Sequence, residues 1–298
     1  MPGLDSLLTE QQNPASVAID TLPTADMLRV INAEDQKVAL AVERVIPAIA
    51  QAVDAAVAAF EAGGRMFYIG AGTSGRLGVL DASECPPTFS VPPDKVQGII
   101  AGGEAALSRA TEATEDDPAV GARDLLARGF TARDILVGIA ASGRTPYVLG
   151  AIAEAKRMGA VTVGISCTPE SELAAAVDIA ITPLVGPEVV TGSTRMKSGT
   201  AQKLVLNMLS TGLFVRVGYV YGNLMVNVQP KNVKLVDRAR RIISQAASVP
   251  YERAGALLTE AGNNVRAAIL MAKTGAGREE AEQRLAAAGG RISKAIHG

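Results

Sequence analysis

The sequence predicts an α/β protein: a doubly wound, parallel five-stranded sheet with helices on both faces, followed by a small helical C-terminal subdomain. Three observations predict it. Five short apolar runs alternate with helical stretches through the middle of the chain. Those runs are apolar on both faces, the pattern of parallel strands covered by helices on each side. From about Val233 the composition turns Ala-rich and charged, with short helical patterns broken by Gly and Asn. Residues 1–239 are therefore expected to form one domain with N-terminal helices, and residues 240–298 a helical subdomain.

Up to about Ile31 the periodicity is weak. A helix is then expected to start at Asn32, a good cap, with Asp35 in the first turn. Val38, Val42, Val45, Ile49, Val53, Val57 and Phe60 form one stripe at three- and four-residue spacing. Pro47 should kink this helix and Gly63-Gly64 should end it. Strands are expected at Met66–Gly70, Val96–Ala101, Ile135–Ala140, Val161–Ile165 and Asp178–Thr182, with helices at Gly75–Ser83, Pro118–Ala127, Pro146–Met158 and Ser171–Ala176. Residues 195–217 read as a helix apolar nearly all round, hence buried and central. Further helical patterns follow near 233–247, 251–261, 264–273 and 278–288.

Composition excludes several classes of function. The 298 residues carry 29 Lys+Arg against 30 Asp+Glu, a net charge of −1, so there is no basic excess for a nucleic-acid backbone. Aromatic residues are 3% with no Trp, too few for base-stacking platforms. The single histidine, His297, is penultimate and expected at a frayed end, which removes Ser-His-Asp, Cys-His and His-rich zinc chemistry. Cys85 and Cys167 form neither a metal spacing nor a disulfide framework. The acidic N-terminus, with no apolar core, is not expected to act as a signal peptide, and the longest apolar run, Leu204 to Val215, is too short to span a bilayer. A soluble cytoplasmic protein with no membrane partner is expected.

One device occurs twice. FYIGAGTSGRLGVL (67–80) and LVGIAASGRTPYVLGAI (136–152) each read strand, small-residue loop, helix, and each holds a Ser-Gly-Arg triplet. Gly72, Thr73 and Ser74 in the first, and Ser142, Gly143, Arg144 and Thr145 in the second, suit anion capture. Small residues turn backbone N–H groups inward, hydroxyls donate, and a helix N-terminus adds positive potential. A phosphate is the expected guest. TGSTRMKSGT (191–200), with Ser193 and Lys197, is a third hydroxyl- and base-rich turn ahead of a helix, placed to help close the site. The first loop also spells G-x-G-x-x-G over Gly70–Gly75, but no acid ends the next strand to hold a ribose; Gly102-Gly103 stand there, with Glu104 beyond. The doubled hydroxyl loop fits a phosphosugar better than a dinucleotide. Tight turns without function are the bland alternative.

Two acidic stretches lie just after elements that could face this site. Glu84 sits in LDASECPPTF, where Pro86-Pro87 should end the first helix. Glu112 and Glu115 sit in RATEATEDDP. The ordinary reading of such glutamates is solvated surface charge.

Gly72-Thr73-Ser74-Gly75-Arg76 and Ala141-Ser142-Gly143-Arg144-Thr145-Pro146 resemble the phosphate loops of sugar isomerase (SIS) domains. Together with LDASECPPTF, IAGGE, the TEDD stretch, VGISC and TGSTRMKSGTAQKLVLNMLSTG, the chain resembles the N-acetylmuramic acid 6-phosphate etherase family from about Leu7 onward, more loosely in the helical tail. The resemblance implies the SIS fold, a homodimer with sites near the interface, and cleavage of the D-lactyl ether at C3 of the phosphorylated sugar by β-elimination and water addition. That chemistry needs an acid and a base but no metal, nucleotide or other cofactor. The family's two functional glutamates lie in the SEC and EDD motifs, here Glu84 and Glu115. Glu84 would protonate the leaving lactyl oxygen and later activate water; Glu115 would take the C2 proton. An acid working near neutral pH needs burial or a nearby negative charge such as the phosphate. Thr73, Ser74, Ser142, Arg144 and Thr145, then Ser193 and Lys197, would anchor the phosphate, and Glu112 would be dispensable. A non-enzymatic sugar-phosphate sensor is the alternative reading, and an aldose–ketose isomerase a third.

Overall fold

The computed structural model describes residues 8–109 and 115–297. The chain falls into two compact units, one of Met1–Glu84 with Pro93–Ser210, the other of Cys85–Pro92 with Thr211–Gly298. The boundary suggested near residue 240 falls inside a helix; the units part earlier, at Ser210 and Thr211.

In the first unit, short 3-10 turns precede α1 (Thr24–Glu43) and α2 (Ile46–Glu61). The expected single helix, kinked at Pro47 and starting at Asn32, is two helices. Pro47 lacks the N–H that would bond back to Glu43, so the ladder breaks, and the proline sits in the first turn of α2, where a missing donor costs nothing. Asn32 lies inside α1, accepting from the Gln36 side chain at 2.8 Å.

Strands β1 (Met66–Gly70), β2 (Val96–Ile100), β3 (Ile135–Ile139), β4 (Val161–Ile165) and β5 (Ile179–Ile181) form one parallel sheet in the order β2-β1-β3-β4-β5. The five expected strands are present within a residue at each end. Helices α4 (Ala105–Ser108), α5 (Pro118–Ala127), α6 (Pro146–Arg157) and α7 (Glu172–Ala176) connect them, with α3 (Gly72–Phe89) between β1 and β2. One face of the sheet carries Phe67, Ile69 and Leu136 against Leu125, Val148, Ile152 and Leu173, all buried. Each such side chain contributes about 1.5–3 kcal/mol by leaving water.

The position of α3 matters most for the site. It descends along β1. A Cβ on Gly75 would lie 2.6 Å from the Gly70 carbonyl oxygen, and one on Gly78 would lie 3.0 Å from Tyr68 Cβ. Lower still, the Tyr68 hydroxyl donates to Asp81 at 2.9 Å. The helix does not stop before Pro86-Pro87 as expected but runs through them to Phe89. Both rings sit in the last turn, where each deletes one donor only, and the Ser90 N–H closes the end on the Pro86 carbonyl at 2.9 Å.

Helix α8 (Lys197–Arg216) follows β5. It is not buried all round: Ala201, Val205, Leu209 and Leu213 are covered, while Met208 and Val215 are 40% and 45% exposed. In the second unit a hairpin, β6 (Val220–Tyr221) with β7 (Leu224–Met225), precedes α9 (Val233–Ala247), α10 (Tyr251–Glu260), α11 (Val265–Thr274), α12 (Arg278–Ala287) and α13 (Ile292–His297). Their core is built from Ile243, Leu257, Leu258, Ile269, Leu270 and Leu285. Asn232 and Asn264 cap α9 and α11 through side-chain oxygens. His297 ends a helix rather than a frayed tail.

Candidate active site

The sheet order reverses between β1 and β3, and the carboxyl ends of these neighbouring strands are where a doubly wound fold opens a ligand crevice. The two hydroxyl turns sit there. In the first, α3 begins directly at Gly72, whose φ of +53° needs glycine. Gly72, Thr73 and Ser74 thus form its first turn, where amides lack intrahelical acceptors and face any anion above them. Ser74 is buried and its hydroxyl donates to Gln202 Oε1 at 2.9 Å.

In the second turn Gly143, at φ +67°, donates to the Ala140 carbonyl at 3.0 Å, and the Arg144 N–H donates to Ser142 Oγ at 3.3 Å. Thr145 opens α6, its carbonyl accepting from Val148 and Leu149. A Cβ on Gly143 would collide with Ser171 Cβ, so only glycine lets this turn pack on α7. The Arg144 guanidinium lies 3.9 Å from Glu172, a loose pair at the rim. Arg76, the arginine of the other triplet, turns away: it donates to the carbonyls of Leu107 and Arg109.

The third turn joins both. A Cβ on Gly199 would lie 3.4 Å from Thr73 Cγ2. Cys167 links the other side, its Sγ bonding the Ser198 carbonyl at 3.9 Å while its N–H donates to Ala141 at 2.9 Å. Ser193 is half-buried, with its N–H on the Val190 carbonyl. Burial holds the Cys167 thiol protonated, its pKa pushed up to about 12.

Lys197 departs from the phosphate role expected for it. It is 1% exposed and its ammonium lies 2.7 Å from Glu34 of α1, with Asn13 donating to the same oxygen at 2.8 Å and Lys37 also pairing with Glu34. A buried ammonium must be paired, and Glu34 does this. Desolvation alone would raise the Glu34 carboxyl; the two lysines and Asn13 together outweigh it and hold the pKa down at about 2. Glu188, fully buried, accepts from the N–H groups of Lys197 and Ser198 at 2.9 Å each, capping α8. Sequence reasoning misses Glu34, Glu188 and Gln202; the one signal for Gln202 is a polar residue inside an apolar helical stretch.

Of the two glutamates, the fold brings one to the turns. Glu115 is half-buried and its carbonyl accepts from the Tyr147 N–H at 3.0 Å, two residues after Thr145. Glu112 lies outside the described residues. Glu84 is exposed on α3, ten residues beyond Ser74, about 15 Å down the helix axis. A cavity of about 560 Å³ beside the edge strand β2, lined by Val79, Ile100, Gly103, Leu107, Val120 and Arg128, shares none of the turn residues.

Known proteins match this architecture. The sequence pattern of the glucokinase regulatory protein N-terminal SIS domain matches residues 48–156, and that of the SIS domain residues 117–212. A phosphoheptose isomerase from Neisseria gonorrhoeae superposes with a TM-score of 0.51 at 18% identity, over 64% of this chain and 98% of its own length, a likeness of fold. The N-acetylmuramic acid 6-phosphate etherase of Aeromonas hydrophila is 57% identical over 294 residues, 99% of each chain. That of Serratia proteamaculans is 58% identical over 282 residues, 95% of each. With the SIS-type sheet, the paired hydroxyl turns and this end-to-end identity, the chain belongs to the N-acetylmuramic acid 6-phosphate etherase family.

Proposed function

We propose that the chain is a carbon–oxygen lyase that breaks the ether between C3 of N-acetylmuramic acid 6-phosphate and its D-lactyl group, releasing N-acetylglucosamine 6-phosphate and D-lactate, a step in recycling cell-wall amino sugars. The observation that carries this reading is the bond from the Tyr147 N–H to the Glu115 carbonyl, which fixes a carboxylate-bearing residue beside the second hydroxyl turn. The turns at Gly72–Ser74 and Ser142–Thr145 hold the phosphate. In the ring-opened sugar the C1 aldehyde acidifies the C2 hydrogen. Glu115 takes that proton, the C3–O bond breaks, and Glu84 protonates the departing lactate oxygen. Water, deprotonated by Glu84, then adds at C3 of the unsaturated aldehyde, and C2 regains a proton.

Incubating the protein with the muramyl phosphate should release D-lactate, and Glu115→Gln should stop release while sugar-phosphate binding remains. Ligand-induced stabilisation without lactate would overturn the lyase in favour of a sensor, and a ketose phosphate without lactate would point to an isomerase.

The protein works as a homodimer in the cytoplasm. Leu204, Met208, Thr211 and Val215 follow one another at three- and four-residue spacing on α8, an uncharged strip suited to a second copy. Among the described residues no helix is long and apolar enough to cross a membrane. Sedimentation showing only monomer at assay concentration would contradict the dimer.

A further inference from the structure

We propose that Gln202 is a positioning residue for phosphate, and that its bond with Ser74 reverses when a phosphate ester meets the first hydroxyl turn. The amide turns over, Nε2 donates to Ser74 Oγ, and the hydroxyl proton is released to the phosphate. The inference rests on the function proposed above, in which the turns hold the phosphate, and adds which way the Ser74 proton must point and what points it.

The donors and acceptors require the reversal. The Ser74 hydroxyl donates to Gln202 Oε1 at 2.9 Å. A serine has a single hydroxyl proton, so this oxygen offers the turn only lone pairs. A phosphate monoester above about pH 6 is largely a dianion whose free oxygens only accept. Two acceptors brought together repel, so the observed direction of the bond works against the expected guest. Meanwhile Gln202 Nε2 is buried without a hydrogen-bond partner among the described residues, as is Ser198 Oγ one turn earlier on α8. Donors left unmet in the interior are unfavourable. As the amide stands, its two N–H donors are unmet. Turned over, one N–H and the Ser74 O–H are unmet, again two. The turned carbonyl also loses its donor, which favours the observed direction until an anion arrives. A phosphate then takes the hydroxyl proton, leaves one donor unmet and tips the balance.

The surroundings make the amide the moving part. Ser74 keeps 8% exposure and Gln202 only 1%, which sets the serine between the amide and any ligand. Gln202 therefore acts through Ser74 rather than by touching the ester. The start of α8 is held by Glu188 through the N–H groups of Lys197 and Ser198. Helix α8 also lies close on α3: a Cβ on Gly199 would be 3.4 Å from Thr73 Cγ2 and 4.0 Å from Leu77 Cδ1. Neither helix needs to shift. A half-turn about the last side-chain bond exchanges an oxygen and a nitrogen of nearly equal size.

Two experiments decide the point. The first measures binding of N-acetylglucosamine 6-phosphate by calorimetry at about pH 9, where even a buried glutamate is largely ionised. Gln202→Met leaves the Ser74 proton free but undirected and should weaken binding about tenfold. Gln202→Glu accepts but has no N–H to give, holds the proton inward and should weaken binding about tenfold more. Adding Ser74→Ala to each should remove most of the gap between the two variants, leaving only repulsion by the added charge. A gap undiminished by Ser74→Ala, or Gln202→Glu binding as tightly as wild type, would overturn the proposal. The second experiment follows the side-chain NH2 signal of Gln202 by nuclear magnetic resonance, identified by its loss in Gln202→Met. Saturation with the ester should move it downfield as one proton gains the Ser74 oxygen, and Ser74→Ala, saturated likewise, should not show the move. An unmoved wild-type signal, or the same shift in Ser74→Ala, would overturn the proposal. A wild type that fails to bind the ester would strike down the phosphate reading of the turns and this proposal with it. Reversal seen in a wild type that releases no lactate would support the proposal and sink the lyase reading alone.

Discussion

Replacing Glu34 by glutamine removes the carboxylate from an ammonium that has no route to solvent. Lys197 is 1% exposed and Glu34 3%, so little solvent screening weakens the pair. Two lines give the size of the loss. The Glu34 carboxyl lies at about 2 against an ordinary 4.5, which is about 3 kcal/mol of preferential stabilisation of the charged form. Removing one member of a buried pair costs about 3–5 kcal/mol in general. The sign follows from the depressed value: the contribution is complete above about pH 4.5 and is lost as the pH falls towards 2. Urea unfolding followed by circular dichroism at pH 7, 5, 3 and 2 tests this. The wild type should lose about 3 kcal/mol from this pair on acidification. Glu34→Gln should start lower at pH 7 and lack that component. Pairing Glu34→Leu with Lys197→Met should cost less than either change alone, since no orphaned charge remains. A Glu34→Gln loss below about 1 kcal/mol at pH 7, or an unchanged acid profile, would refute the reasoning.

Three further outcomes are expected. Gly143→Ala should destabilise by several kcal/mol or abolish folding of the turn, because its Cβ would collide with Ser171 Cβ and φ is +67°; a thermal midpoint within a degree of wild type would contradict this. Gln202→Met should raise KM by about tenfold with kcat nearly unchanged, through loss of the 2.9 Å bond that orients the Ser74 hydroxyl; a purely kcat effect would be the wrong sign of evidence. Asp134→Asn should cost about 2–4 kcal/mol, since this buried carboxylate accepts from the Arg65 guanidinium and from the N–H groups of Arg65 and Thr131; equal chemical-denaturation midpoints would disprove it.

How far the sequence can be read depends on range. The strands are legible because a short run apolar on both faces, set between helical stretches, has few other uses. The hydroxyl turns are legible because small and hydroxyl residues between such a run and a helix leave backbone donors uncovered. Local chain breaks are less so: Pro47 begins a helix and Pro86-Pro87 sit inside one, and a proline alone does not say which end of a helix it marks. The Gly222-Asn223 hairpin between Val220-Tyr221 and Leu224-Met225 is a turn signal that the helical reading of the tail passes over. Partnership across long separations cannot be read at all. Lys197 stands among hydroxyls in a turn, and only the fold supplies Glu34, 163 positions away, to bind it. For Glu84 the motif points to chemistry, but its height beside β1 follows only once the helix is known to continue unbroken past the turns.

The burial of Cys167 under the Ser198 carbonyl has a practical sequel. With Cys85 also enclosed, both native sulfurs are sealed from bulk reagents. Burial keeps both away from the maleimides and iodoacetamides that attack exposed thiolates. A cysteine introduced at an exposed position such as Val233 can thus carry a spin label or dye by itself, leaving the native thiols in place to fill the volume they occupy.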